Sequence, residues 1–275
     1  MKTANTIQNK INLPINFDVW IDESNLNKQP FVIISHGYKG FKDWGFIPYL
    51  SEMISQNNCI AINLDFSLNG IVDSQNSIFD PNLFALNTVS QEIEDLNILI
   101  DFLKIKFENA WDGKIFLIGH SLGGAISLIT ANERNDISGI CLMGTISTLD
   151  RNTQRQKDLW RATGRVEMKI PLTNQIIWQN VEYLEDKENN KERFNLLNCI
   201  AKLNMPILII HGEQDVTVLI KEAKLLLESA INNNQAILEL IPQCNHIFNV
   251  KHPFNVASKQ IEQAFYCILS LIQTK

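Results

Sequence analysis

Short, almost uniformly apolar runs alternate along this chain with longer stretches in which apolar residues recur every three or four positions. The short runs are Phe31 to Ser35, Ile60 to Leu64, Lys114 to Ile118, Gly139 to Met143, Pro206 to Ile210 and Ala236 to Ile241. Several are continuously apolar rather than alternating, as expected of parallel strands covered on both faces. The stretch from Ile15 to Ile21 alternates apolar and polar residues and predicts an antiparallel edge strand ahead of the parallel core. Ile93, Leu96, Ile100, Leu103 and Phe107 share one face of a predicted helix, and Ile261, Phe265 and Ile268 repeat that spacing between Val256 and Ile272. Strands and helices in turn predict an α/β fold, a mostly parallel, doubly wound sheet with helices on both faces.

Residues 145–205 break the rhythm. No clean strand is visible there, and the composition shifts to Trp160, Trp178, Tyr183, Phe194 and a mixed-charge run from Glu185 to Arg193. A run of that kind predicts a solvated face. A structureless connection of this length is foreign to a compact domain. The expectation is therefore a helical lid or cap (145–205) inserted into a core made of residues 1–144 and 206–275.

Composition narrows the class of function. The 275 residues carry a net charge of −6, with 45% hydrophobic and 20% charged positions, which excludes disordered, collagen-like and coiled-coil chains. The acidic balance argues against nucleic acid as a partner, and no stretch of about 18 apolar residues argues for a membrane span. Met1 to Lys10 shows no apolar core of a signal peptide. The five cysteines are odd in number and share no C-x-x-C spacing, so a reduced, cytoplasmic setting is expected. Neither H-E-x-x-H nor His/Cys ligand spacing occurs, so no metal is expected, and with no G-x-G-x-x-G or phosphate loop the sequence implies no cofactor.

The candidate chemistry begins where the third apolar run meets Gly119-His120-Ser121-Leu122-Gly123-Gly124 and a helical stretch follows. This is G-x-S-x-G between a strand and a helix, the context of a nucleophile elbow. The turn is so tight that the residues two before and two after Ser121 must be small. Of the 12 glycines, Gly37, Gly40, Gly119, Gly123, Gly124 and Gly212 all fall just past predicted strand ends, where an open α/β sheet builds its site.

With these residues the chain resembles the α/β-hydrolase superfamily, whose triad runs in the order Ser, Asp or Glu, His. The resemblance extends from about Ile15 to Ile272. It implies that Asp215, in His211-Gly212-Glu213-Gln214-Asp215-Val216-Thr217-Val218, is the acid, with Glu213 as the competing carboxylate. It implies that His246, just past the last strand, is the base, with His252 as the competing histidine. His36, His120 and His211, also inside motif positions, read as supporting or packing residues. The oxyanion hole is implied at the backbone N–H groups of Tyr38, after His36-Gly37, and Leu122, after the nucleophile. Within the superfamily the stretch His36 to Gly45 and the insertion before Pro206 are most similar to dienelactone-hydrolase-like and cinnamoyl or feruloyl-esterase-like enzymes. Dienelactone hydrolases proper use cysteine, whereas Ser121 stands at the elbow here, which favours plain serine-esterase chemistry on a small-molecule ester. Tyr38, Trp160 and Trp178 are expected pocket walls. The same triad serves thioesterases, acyltransferases and serine peptidases, and non-catalytic binding proteins share the fold. A homodimer is compatible with it, but nothing in the sequence selects an interface.

Overall fold

The computed structural model describes residues 1–22, 24 and 27–273. In chain order the elements are β1 (Lys2–Gln8), β2 (Pro14–Trp20), β3 (Gln29–Ser35), α1 (Ile47–Ser55), β4 (Ile60–Asp65), β5 (Ile71–Asp73), β6 (Ile78–Phe79), α2 (Pro81–Ala85), α3 (Val89–Lys106), β7 (Trp111–His120), α4 (Leu122–Glu133), β8 (Gly139–Met143), α5 (Gln154–Thr163), β9 (Arg165–Lys169), β10 (Ile176–Asn180), α6 (Val181–Asn189), α7 (Leu196–Ile200), β11 (Ile207–Gly212), α8 (Ile220–Ser229), β12 (Ala236–Ile241) and α9 (Lys259–Gln273).

Among the described residues the main sheet has eight strands in the order β1-β2-β4-β3-β7-β8-β11-β12. Only β2 runs against the rest: it pairs antiparallel with both β1 and β4, and every other ladder is parallel. The continuous apolar runs become its central strands for a visible reason. On β3, Phe31 and Ile33 pack on the side of α3 and α4, while Val32 and Ile34 pack on the side of α1 and α9. Both faces are thus covered, and each fully buried Ile or Phe side chain contributes about 1.5–3 kcal/mol.

Three expectations shift. The alternating segment from Ile15 to Ile21 is antiparallel, but it is not the edge, because β1 pairs outside it. β1 reads Lys-Thr-Ala-Asn-Thr-Ile-Gln and is largely exposed, so it lacks the apolar face that would betray it. Residues 145–205 do contain strands: β9 and β10 form a hairpin, Ile176↔Lys169 to Asn180↔Arg165, apart from the main sheet. Finally, α9 starts at Lys259 rather than near Val256, because the Ser258 hydroxyl accepts the Ile261 N–H (3.1 Å) as a helix cap, leaving Val256 exposed. The mixed-charge run forms α6 and the turn after it. Arg193 pairs with Glu133 (2.6 Å) and Arg161 with Glu188 (2.5 Å) at the surface.

The cysteines are free thiols, four buried and Cys267 half-buried. No helix among the described residues is long and apolar enough to cross a membrane.

One buried carboxyl makes stability depend on pH. Glu92, on α3, accepts from Asn87 Nδ2 (2.6 Å), yet burial, reinforced by the nearby charge of Asp95, raises its carboxyl to about 8. The folded state therefore holds a proton that the unfolded chain releases near pH 4.5. Across that window stability falls as pH rises. Glu92→Gln is expected to be more stable than the wild type at pH 8 by on the order of 2 kcal/mol, and nearly equal to it at pH 5. Urea unfolding at the two pH values measures this.

Candidate active site

Ser121 occupies the single residue between β7 and α4, with φ 54° and ψ −116°, a left-handed conformation that a non-glycine residue holds only when its surroundings impose it. Its N–H donates to Met143 O (2.9 Å), tying the turn to β8. The glycines around it allow the approach. A Cβ on Gly123 would lie 2.3 Å from His36 O and 2.4 Å from Ser35 O, and one on Gly119 would lie 2.3 Å from Gly123 O. These obstacles are backbone, so they cannot swing aside. Gly123→Ala is expected to cost more than about 3 kcal/mol of stability, since overpacking of this severity must shift α4 from β3. A fall in the urea midpoint, with activity falling alongside, measures the effect.

Asp215 lies in the loop after β11 and is buried. Its Oδ1 accepts the N–H groups of Thr217 (2.9 Å) and Val218 (2.8 Å), and its Oδ2 accepts from His246 Nδ1 (2.7 Å). Burial pushes the carboxyl up, but the His246 bond and the two backbone donors outweigh it and hold the group below the usual carboxylate range. Asp215 is therefore ionised at neutral pH, and the Nδ1 proton of His246 is fixed toward it, leaving Nε2 as the free nitrogen. The loops that carry Asp215 and His246 are laced together, with Glu213 N donating to Ile241 O and Gln214 N to Cys244 O. Gly144, with φ +53°, backs the pair: a Cβ there would stand 3.3 Å from His246 Nδ1.

The competitors fall elsewhere. Glu213 is exposed. Both ring nitrogens of His252 are engaged, Nδ1 accepting from Gly45 N (3.1 Å) and Nε2 donating to Ser74 O (3.0 Å). His120 donates Nε2–H to His246 O (2.9 Å), and burial lowers it to about 3, so it braces the His246 loop as a neutral ring. His36 donates Nδ1–H to Gly37 O (2.9 Å) and is lowered by burial to about 4. His211 donates to Val218 O (2.8 Å) in the loop that carries Asp215.

Two cavities meet at Ser121. The smaller, about 380 Å³, is lined by Leu122, Trp160, Tyr183 and Lys187 among others. The larger, about 580 Å³, is lined by Phe41, Trp44, His246 and Ile247 among others. Ser121, Tyr38 and Thr217 line both. Leu122 opens α4, where the first amides of a helix have no intrahelical partner. Tyr38 follows β3 and Gly37, and its hydroxyl reaches Gln179 Oε1 and Met168 Sδ, each at 3.3 Å.

Of the two tryptophans expected as pocket walls, Trp160 lines the smaller cavity and donates Nε1–H to Gln179 O (3.0 Å). Trp178 lines neither cavity. Strand alternation on β10 turns Ile177 and Gln179 inward and Trp178 outward, where the Arg165 guanidinium covers its ring at 4.8 Å. Gln179, wholly buried, escaped the sequence reading. Its amide donates to Asn87 O (2.8 Å) while its carbonyl faces the Tyr38 hydroxyl, joining residues 145–205 to the loop after β3. Had the hairpin been read, an inward glutamine between inward apolar residues was the signal. Among the described residues no group of three or more His, Cys, Asp or Glu side chains could hold a metal ion.

The topology agrees with what solved structures show over nearly the whole chain. Est1E from Butyrivibrio proteoclasticus, in a structure with ferulic acid bound, superposes with a TM-score of 0.71 at 17% identity, covering 98% of each chain. The esterase domain of a Rhodothermus marinus protein gives 0.63 at 19% identity, covering 97% of this chain and 95% of that one. The Pyrococcus furiosus esterase Pf2001 gives 0.63 at 17%, covering 99% and 92%. The chain has the α/β-hydrolase fold. A family model described as serine aminopeptidase, S33 (Hydrolase_4), matches residues 80–193, a span that includes the Ser121 turn but ends before Asp215 and His246. No curated protein matches it by sequence.

Proposed function

We propose that this α/β-hydrolase chain is a serine hydrolase that cleaves a carboxylic ester of a small molecule. The carrying observation is the Asp215–His246 hydrogen bond (2.7 Å) presented to the same cavity as Ser121 at its left-handed turn. Ser121 Oγ attacks the acyl carbon as His246 Nε2 takes its proton. The N–H groups of Tyr38 and Leu122 hold the resulting oxyanion. His246 then hands the proton to the departing alcohol, leaving an acyl group on Ser121. Water, deprotonated by the same nitrogen, releases the acid and restores the enzyme. Residues 145–205 act as a cap over this centre, with Trp160 as a wall. Esterase neighbours of the same fold support the reading.

The test is labelling by a serine-directed phosphonate followed by peptide mapping. Modification of Ser121, together with turnover in a panel of alkyl, aryl and thioester substrates and an aminoacyl anilide, supports the proposal. Labelling elsewhere, or the anilide as the only substrate turned over, sinks the ester reading.

A further inference from the structure

One member of the mixed-charge run turns its ammonium toward a cavity wall rather than toward a carboxylate. Lys187, on α6, is half-buried and lines the smaller cavity. Its ammonium sits over the rings of Tyr183 (5.1 Å) and Trp160 (5.8 Å), both walls of that cavity. Its hydrogen bonds go to neutral oxygens at long range, Leu149 O and Asn152 Oδ1, each at 3.3 Å. Among the described residues no carboxylate oxygen lies within 4.0 Å of it. The nearby carboxylates are engaged elsewhere: Asp150 pairs with Lys157 (2.7 Å), and Glu188 with Arg161 (2.5 Å) and Lys157 (3.8 Å). Arg151, the other cation of the cavity, is held by Glu222 (2.7 Å). An ammonium carries three donors and is costly to leave partly desolvated without a counter-charge. In agreement, burial lowers Lys187 to about 8, which still leaves it mostly protonated at neutral pH.

The two cavities divide the ester between them. In acylation the departing oxygen takes its proton from His246, so the alcohol lies on the side lined by His246 and Ile247, the larger cavity. The acyl chain accordingly enters the smaller cavity, along apolar walls supplied by Leu122, Ile146, Leu149, Val166 and Met168. We infer that the preferred acyl group is an aliphatic chain ending in a carboxylate, which Lys187, a wall of this cavity, receives. The inference rests on the serine-hydrolase reading above. A terminal carboxylate supplies the missing counter-charge, while a plain hydrocarbon acyl chain leaves the ammonium desolvated and unpaired.

The experiment compares mono-p-nitrophenyl adipate with p-nitrophenyl hexanoate, which share leaving group and chain length and differ in the terminal carboxylate. The wild type is expected to favour adipate in kcat/KM. In Lys187→Met the adipate-to-hexanoate ratio is expected to fall by about tenfold or more, the scale of a charge-assisted hydrogen bond, with Lys187→Arg recovering part of it. Equal handling of the two esters by the wild type, or an unchanged ratio in Lys187→Met, overturns the inference. So does a preference that survives Lys187→Met but vanishes in Lys39→Met, since Lys39 lines the other cavity. Calorimetric titration of adipate against the Ser121→Ala chain separates this failure from that of the hydrolase reading. Lys187-dependent binding without any ester turnover sinks the latter alone, and absence of binding sinks the former. A melting temperature for each variant confirms that the compared proteins are folded.

Discussion

Under the proposed mechanism Ser121→Ala is expected to lower ester turnover by on the order of 10⁴- to 10⁶-fold in kcat, because it removes the oxygen that would carry the acyl group. The substitution keeps the Cβ and so keeps the backbone strain at φ 54°, and it removes only a hydroxyl at a half-exposed position. The melting temperature should therefore stay within a few degrees of the wild type. That pairing of outcomes matters: lost activity with preserved stability points to chemistry, whereas Gly123→Ala should lose both. Steady-state kinetics on an activated ester, with a thermal melt of the same sample, measures it. Near-wild-type turnover in Ser121→Ala would remove the serine mechanism altogether.

Asp215→Asn is expected to cost about 10⁴-fold in kcat with little change in the surrounding structure, as the loss of a correctly oriented imidazole does in triads generally. The asparagine oxygen can keep the Thr217 and Val218 N–H bonds that Asp215 Oδ1 now accepts. Its amide nitrogen then faces His246 Nδ1 as a donor where Oδ2 was an acceptor. His246 must turn Nδ1 into the acceptor and place its proton on Nε2, which can no longer receive one from Ser121. The imidazolium formed during attack also loses its counter-charge. Because Asp215 is held below the usual carboxylate range, its stabilising contribution is complete at neutral pH and fades only in acid, as pH falls through its folded value. The defect should therefore persist at every pH from neutrality upward, which a pH–rate profile reads directly. Glu213→Gln, at an exposed position in the same loop, should stay close to wild type.

The legible part of this molecule is the part specified by short-range rules. The six apolar runs are all strands of one sheet, and most are apolar on both faces because helices cover the sheet on both sides, the half-exposed edge strand β12 with Glu239 being the exception. The Ser121 turn was visible because its tightness demands glycine at fixed offsets, and the structure shows those glycines against backbone oxygens. The Asp215 and His246 positions depended on resemblance, because a loop aspartate or histidine carries no periodic signal of its own. β1 escaped detection as a solvent-facing edge, and β9–β10 because a short hairpin outside the main sheet buries only alternate side chains.

The amino-acid sequence by itself determined which segments form the sheet, where the chain must turn most tightly and which serine sits at that turn. Each of these follows from residues within a few positions of one another. Only the tertiary structure decided that Asp215 and His246 meet, that both His252 nitrogens are engaged, that Trp178 faces away while Trp160 lines a cavity, and that Lys187 of the mixed-charge run lines that cavity too. Those outcomes depend on what covers a side chain from far along the chain. Period and composition tell which face of an element is apolar, but not which cavity lies beyond it.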